Sequence, residues 1–495
     1  MKILLCSFLL LAPPLLHAQD FVEVPFPVEE EQVFDGVSVG SISFADVDGD
    51  NDQDLLITGQ TYGGERIAKL YRNDGKGNFS TAQKSSIEGV GFCSVAFADV
   101  DGDDDQDLLI TGIQNNGQDV SKLYRNDGKG ELSEVGNTPF KSVRIGSIAF
   151  ADVDGDNDQD LLITGWNSVS DRIAKLYRND GKGEFVEVQN TPFEGVYGGS
   201  VAFADVDGDD DQDLLITGQK SNRERISKLY RNNGKGEFSE VQNTLFEKVE
   251  ASSVAFADVD GDNDQDLLIT GQKDVGERIS KLYRNNGKGE FSEVGNTPFE
   301  AISDGSIAFA DVDGDNNQDL LIAGLTVSTG ENITKLYRNV GGENFFEVQG
   351  TPFTAIHNSS IAFADVDGDN DQDLVIAGYS SGTKTYITKL YLNTLNTSTS
   401  DEIESIATNS FLSLFPNPSE GSVALSYDTE QGGEASVSII DLIGITRIQK
   451  DVKLLLGQNI IPLDCSGLPS GVYLVELKGG DRSVSTTLII LPAYN

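Results

Sequence analysis

Histidine, cysteine and basic residues are scarce in this chain, and each scarcity removes a class of function. Of two histidines, His17 stands in the leading segment and only His357 lies beyond it. His357 reads as a loop residue rather than a base, and no Ser-His-Asp set, zinc spacing or phosphate-cradling glycine loop appears. The expectation is therefore a protein that is not an enzyme. Paired carboxylates of the kind a glycosidase or lyase needs abound, but nearly all belong to one recurring loop. Three cysteines, Cys6, Cys93 and Cys465, supply no disulfide framework, so stability has to come from elsewhere, and metal sites are a candidate. Lys and Arg number 36 against 80 Asp and Glu, a formal net charge of −44. That balance excludes nucleic acid as a partner and disfavours an anionic membrane surface, because phosphate binding needs a basic face. Long apolar runs are also missing: no later stretch reaches the roughly 18 residues of a membrane span.

What is present is ordered. Hydrophobic residues make up 38% of the chain and recur regularly, which argues against a disordered acidic polymer. The acid is organised, and multivalent cations are its natural partner. Met1-Lys2 followed by an apolar run over residues 3–16 and by His17-Ala18-Gln19 predicts a signal peptide over residues 1–18. At 495 residues the chain is too long for one ordinary domain.

Internal repeats organise the rest. The segment GSISFADVDGDNDQDLLITGQ recurs seven times, with its first loop Asp at Asp46, Asp99, Asp152, Asp205, Asp258, Asp311 and Asp365. The spacing is 53 residues five times and 54 once. Each repeat reads as four short strands, in the fourth copy over residues 200–205 (SVAFAD), 213–217 (DLLIT), 226–232 (ISKLYRN) and 238–241 (FSEV). The Asn233-Gly234-Lys235-Gly236 turn is a strong hairpin signal. Four strands, seven times, predict an all-β fold with a seven-bladed β-propeller. The seventh repeat has no FSEV-like strand after Asn393, whereas Phe21-Val22-Glu23-Val24 follows the signal peptide. A terminal strand completing the last blade would close the ring and remove open edges.

Between the first and second strands lies a nine-residue acidic loop. Its carboxylates at positions 1, 3, 5 and 9 are present in all seven copies, 28 Asp in total. With position 7 added, the candidate metal residues are Asp46, Asp48, Asp50, Asp52 and Asp54; Asp99, Asp101, Asp103, Asp105 and Asp107; and Asp152, Asp154, Asp156, Asp158 and Asp160. They continue with Asp205, Asp207, Asp209, Asp211 and Asp213, then Asp258, Asp260, Asp262, Asp264 and Asp266. The last two sets are Asp311, Asp313, Asp315, Asn317 and Asp319, and Asp365, Asp367, Asp369, Asp371 and Asp373. Alternate residues aim oxygens at one point, a carbonyl near position 7 continues the shell, and position 9 closes it. Hard oxygen donors in a flexible cage suit calcium better than magnesium, which demands tight octahedral geometry. About seven calcium ions are expected. An EF-hand is excluded, because position 12 is isoleucine in every copy, for example Ile57 and Ile376. Position 6 is Asn or Asp throughout, and both tolerate left-handed backbone.

This repeat resembles the FG-GAP/VCBS repeat family, whose propellers include the integrin α-subunit head. The resemblance covers about residues 21–394, with Thr-Gly or Ala-Gly in place of the Gly-Ala-Pro element. It implies that the calcium loops are structural and lie opposite the main ligand-binding face; it does not carry over a ligand. In this chain the loop after the second strand varies most: QTYGGER at residues 60–66, IQNNGQD at 113–119, WNSVSDR at 166–172 and LTVSTGEN at 325–332. A rigid ring with one diversified face suits a binding surface, whereas drift of unconstrained loops gives the same variation. Trp166 and Tyr379 follow the same Gly in their repeats, and either stack on a ligand or cap a blade.

From Asn393 the composition changes to a Thr-, Ser- and Asn-rich linker, then to short strands predicted at 435–440, 446–452, 472–477 and 483–491, a small β-sandwich. FPNPSEG, SVSIIDLIG, GQNIIPLD and LPSGVYLVEL resemble the type A sorting domain of the type IX secretion system over about residues 411–491. That resemblance implies a Bacteroidetes-type Gram-negative source, export through the periplasm, the secretion machinery as a partner, and a surface or released product. The expected organisation is a signal peptide at 1–18, a propeller at 19–394, a linker at 395–410 and a sorting domain at 411–495. The expected function is a secreted or cell-surface calcium-binding propeller that binds a protein or glycan ligand. A structural surface-layer component and a polysaccharide-active enzyme are the competing readings.

Overall fold

β-Branched and aromatic residues alternate with Gly, Asn and Asp turns throughout, and the resulting structure is all-β. The computed structural model describes residues 21–24, 34–82, 87–168, 172–274, 276–326, 330–395, 412–415, 422–429, 433–441, 446–454, 457–465, 467–469, 471–479 and 482–490. No helix occurs among the described residues. The expected signal peptide lies outside them, as does the expected linker beyond Leu395. The chain divides into two units, Met1–Ser398 and Thr399–Asn495.

In the first unit each repeat forms an antiparallel meander. The fourth copy runs Val201–Ala204, Asp213–Gln219, Arg225–Arg231 and Ser239–Glu240. The fourth strand is shorter than FSEV suggests, because only two residues pair along the third strand. Phe238 and Val241 still hold it down, Phe238 through Phe193 (5.2 Å between ring centroids) and Val241 through its N–H to Leu229 O (2.9 Å). Second strands such as Leu214–Leu215–Ile216 are fully buried on both faces, which explains their unbroken apolar run.

The seventh meander is His357–Ala364, Asp373–Ser380 and Thr385–Asn393, and the N-terminal strand Phe21–Glu23 completes it. Phe21 pairs with Asn393, Val22 with Leu392 and Glu23 with Tyr391. Two of its side chains repeat an internal fourth strand: Phe21 packs on Phe353 at 5.2 Å as Phe238 packs on Phe193, and Glu23 meets Lys389 at 2.7 Å as Glu240 meets Lys228 at 2.8 Å.

Two sets of contacts join each repeat to the next and return from the seventh to the first, and a third spans several of the same junctions. One residue early in each third strand bridges the following repeat: Ile67 to Val90, Val120 to Val143, Ile173 to Val196, Ile226 to Val249, Ile279 to Ile302, Ile333 to Ile356 and Ile387 to Val37. A buried Asn after each third strand donates its side-chain N–H to the position-2 carbonyl of the preceding loop, as in Asn126 to Val47 (2.9 Å) and Asn393 to Val312 (2.8 Å). Asn73 makes the same bond to Val366 at 2.8 Å. The third set runs through backbone with positive φ at Val39, Phe92, Ile145, Gly198, Ala251, Asp304 and Asn358. Here Phe92 donates to Val39 (2.7 Å), Ile145 to Phe92 (2.9 Å), Gly198 to Ile145 (2.8 Å), and Val39 back to Asn358 (3.2 Å). Left-handed Val39 and Ile145 are strained, at about 1–3 kcal/mol each, and these inter-repeat bonds sustain them.

The second unit holds two antiparallel sheets. One joins Leu412–Phe415, Ser422–Thr429 and Gly457–Asp464; the other joins Thr446–Leu454, Gly433–Asp441, Gly471–Gly479 and Arg482–Ile490. They share one apolar cluster that includes Val423, Leu425, Val437, Ile439, Cys465 and Val475.

Candidate functional site: acidic loops and the variable face

The acidic loop folds on its own carboxylates. In the first copy, Asp46 at position 1 staples the turn: Oδ1 accepts from Gly49 N (2.8 Å) and Oδ2 from Asn51 N (2.9 Å). Asn51 is left-handed at φ 69°, as are its six counterparts between 64° and 71°, which agrees with the residue types at position 6. Asp50 Oδ1 accepts from Asp52 N (3.1 Å). Asp54 at position 9 is 1% exposed and accepts backbone N–H from Asn73 (2.8 Å) and Val47 (3.3 Å). Asp54 thereby ties the loop to the end of the third strand.

These groups converge without neutralising one another. Ligating atoms of Asp46, Asp48 and Asp50 lie within 4.8 Å of one another, as do those of Asp99, Asp101 and Asp107 and of Asp152, Asp154 and Asp160. Position 7 stands outside the clusters built on Asp46, Asp99, Asp152, Asp205 and Asp258. Its carboxylate instead covers the hairpin turn of the same repeat: a Cβ at Gly75 would meet both Asp52 oxygens at 2.6 Å, and Gly128, Gly181, Gly234 and Gly287 meet their own position-7 Asp in the same way. Those turn glycines are therefore fixed by the loop as well as by their positive φ.

The electrostatics of the loop oppose ionisation of its buried carboxylate. Burial, followed by neighbouring carboxylates, pushes Asp54 and Asp107 up to about 6, Asp160, Asp213 and Asp266 to about 7, and Asp319 and Asp373 to about 8, against the opposing pull of backbone N–H donors. Buried Oδ1 atoms of Asp48, Asp101, Asp154, Asp207 and Asp367 have no hydrogen-bond donor. An anionic oxygen buried without a donor is expensive unless a cation reaches it. The donor set thus fits a hard divalent cation on geometry and on charge.

One partner of the loop was not legible from spacing alone. The Arg that ends each Lys-Leu-Tyr-Arg strand turns back on position 3: Arg72 on Asp48, Arg125 on Asp101, Arg178 on Asp154 (2.8 Å), Arg231 on Asp207 (2.8 Å), Arg284 on Asp260 (3.3 Å) and Arg338 on Asp313. Its invariance among the first six copies, and Leu392 in the seventh, were the available signal.

The variable residues form a second system. Where one repeat's third strand begins, it meets the next repeat with a different chemistry at each junction. Asp119 faces Arg144 (3.6 Å), the Arg172 guanidinium lies 4.4 Å over the Tyr197 ring, Arg225 pairs with Glu250 (2.5 Å), Arg278 Nε donates to Ser303 Oγ (2.7 Å), and Asn332 meets His357 Nδ1 (2.8 Å). Much of the variation is therefore matched pairs rather than free drift. Arg144 also lies 4.6 Å over Trp166, so Trp166 caps a junction. His357 is not in a loop: it opens a strand, half-buried beside Tyr379 at 5.3 Å between ring centroids, and burial lowers its pKa. The last junction differs from the others. Tyr379, Tyr386 and Tyr62 meet edge to face at 5.9 and 5.8 Å, and Tyr62 is 69% exposed.

The fold and the loops together define an all-β repeat protein carrying regularly spaced acidic loops. An FG-GAP-like repeat model matches residues 46–110, 105–163, 165–216, 215–269 and 271–322, more than half of the chain, which therefore belongs to the FG-GAP-like repeat family. A secretion system C-terminal sorting domain matches residues 413–491 and indicates type IX secretion to the cell surface or exterior. No curated protein matches the chain. Among solved structures, AofleA from Arthrobotrys oligospora is 11% identical, with 68% of this chain and 94% of that one covered and a TM-score of 0.38. The fungal lectin of Aleuria aurantia, described as a six-bladed β-propeller, is 11% identical over 64% of this chain and 97% of its own, with a TM-score of 0.36. A glycoside hydrolase family 43 arabinoxylan arabinofuranohydrolase from Bacillus subtilis is 11% identical over 92% and 95%, with a TM-score of 0.30. No helix among the described residues is long and apolar enough to cross a membrane.

Proposed function

We propose that the first unit is a calcium-stabilised seven-bladed β-propeller that works as a secreted or cell-surface binding module for a protein or glycan ligand, and that the second is a β-sandwich sorting domain removed on export through a Gram-negative, Bacteroidetes-type envelope. The single observation that carries the calcium reading is the set of buried, donorless carboxylate oxygens recurring at position 3 of the loops. Positions 1, 3, 5 and 9 would hold the ions, which bring charge neutralisation and cross-link each loop to its strands. Seven ions would take the formal charge from −44 to −30, since seven divalent ions add 14. The seven-blade reading is supported by the inter-repeat bonds that return from the seventh repeat to the first.

Ligand binding is assigned to the variable face, where Tyr62, Tyr379 and Tyr386 leave an aromatic group partly open to solvent. A structural surface-layer role is the second reading, favoured by the junction pairs, which engage much of the variable set within the molecule. A glycan and extracellular-matrix array probed with calcium-loaded protein separates the two. A saturable hit that is lost in Tyr62→Ala supports the binding module, and no hit on either array sinks it. Release of reducing ends from a polysaccharide panel would instead favour an enzyme.

A further inference from the structure

We infer that the seven loops are unequal, and that the seventh, built on Asp365, Asp367, Asp369 and Asp373, is the strongest divalent-cation site; this rests on the calcium reading above. The sequence supplies the cause. In six repeats a guanidinium sits against the position-3 carboxylate, whereas Leu392 occupies that place in the seventh. Among the described residues no Lys or Arg pairs with Asp365, Asp367, Asp369 or Asp373, and buried Asp367 Oδ1 and Asp369 Oδ2 have no donor. A resident positive charge a few ångströms from a bound dication repels it and competes for the same oxygen. Removing that charge strengthens binding by about tenfold to a hundredfold at partly exposed dielectric. The opposite extreme is the sixth loop. There Arg338 reaches both Asp313 and Asp315 (3.6 Å), and Asn317 removes one acid, so this is the weakest site.

The location of the strong site gives it a role. The Arg of the first four repeats also ties its repeat to the next one's hairpin, as Arg72 Nη2 does to Lys129 O (2.9 Å), and Arg284 reaches Glu343 of the next hairpin. At the seam between the seventh and first repeats Leu392 makes no such bond, and the atoms nearest a Cβ on Gly77 would be Leu392, Asp367 and Val366 side chains at 3.6–3.7 Å. The seventh loop nevertheless touches the first repeat through Val366 O, which accepts from Gly77 N (2.8 Å) and Asn73 Nδ2 (2.8 Å). An ion in this loop therefore stiffens a seam at which Leu392 supplies no guanidinium tie.

Calorimetric titration of the metal-stripped full chain with calcium, alongside a competing chelator dye, tests this. One site at least tenfold tighter than the bulk is expected. Leu392→Arg should merge it with the others, Leu392→Gln should leave it tight, and Arg72→Leu should create a second tight site. Seven indistinguishable sites in the wild type, or a tight class unmoved by a folded Leu392→Arg variant, overturns the inference. Should Leu392→Arg fail to fold, the wild-type site classes and Arg72→Leu still decide. Absence of any calcium binding would instead refute the calcium reading on which it stands.

Discussion

Asn73 donates its side-chain N–H to the carbonyl of Val366, 293 residues away, at 2.8 Å, in the same bond that Asn232 makes to Val153 between neighbouring repeats. Seven equal bonds can exist only if the last repeat lies against the first as any repeat lies against its neighbour. Each such Asn also anchors the position-9 carboxylate through its backbone N–H, so the seams and the acidic loops are parts of one network.

Asn73→Ala and Asn232→Ala should therefore destabilise to the same extent, about 1–3 kcal/mol, the range for a buried acceptor left unpaired. Denaturant unfolding of the two variants under identical calcium measures this. A much smaller effect at Asn73 would show that the seam is not equivalent to an internal junction.

The terminal strand makes a sharper prediction, because its residues differ in burial. Phe21 is 4% exposed and Val22 50% exposed. Phe21→Ala should cost about 3 kcal/mol by leaving a cavity beside Phe353, while Val22→Ala should stay within about 0.5 kcal/mol. Equal effects in thermal melts would contradict the strand's placement.

Calcium removal should lower the melting temperature strongly, since ions that bind only the folded loops couple their binding free energy to folding. Asp48→Ala should cost less than full chelation, because one loop of seven is damaged. An unchanged melting curve in excess chelator would refute a structural role for the metal.

Tyr62→Ala removes a side chain that is 69% exposed, so stability should move by no more than about 0.5 kcal/mol while ligand retention on the array falls. Trp166→Ala should behave the other way, destabilising the Arg144 junction and leaving binding intact. Paired melting and array measurements on the two variants distinguish a ligand contact from a junction cap.

A chain ending at Ser398, the boundary between the two units, should fold and bind calcium yet remain inside its native host. Secretion of that truncated chain would refute the second unit as an export address, and mass spectrometry of the extracellular form tests its removal.

The amino-acid sequence by itself determined the repeat number, the meander, the acidic loops and the N-terminal partner of the last repeat. Those features are written in local pattern: alternation makes strands, Asp at alternate positions makes a loop, and Phe-Val-Glu-Val duplicates Phe-Ser-Glu-Val. Tertiary structure alone decided three others. The backbone circuit has no consistent sequence signature, because Val39, Phe92, Ile145 and Ala251 share with Gly198, Asp304 and Asn358 a positive φ that their residue types do not announce. Junction chemistry was hidden because each partner lies in a different repeat, so Arg172 and Tyr197 look like unrelated variation until the strands bring them to 4.4 Å. The guanidinium at position 3 was hidden for the same reason: Arg72 and Asp48 meet only once two strands have folded back on each other, and only then does Leu392 stand out as the one copy with no guanidinium at that strand position.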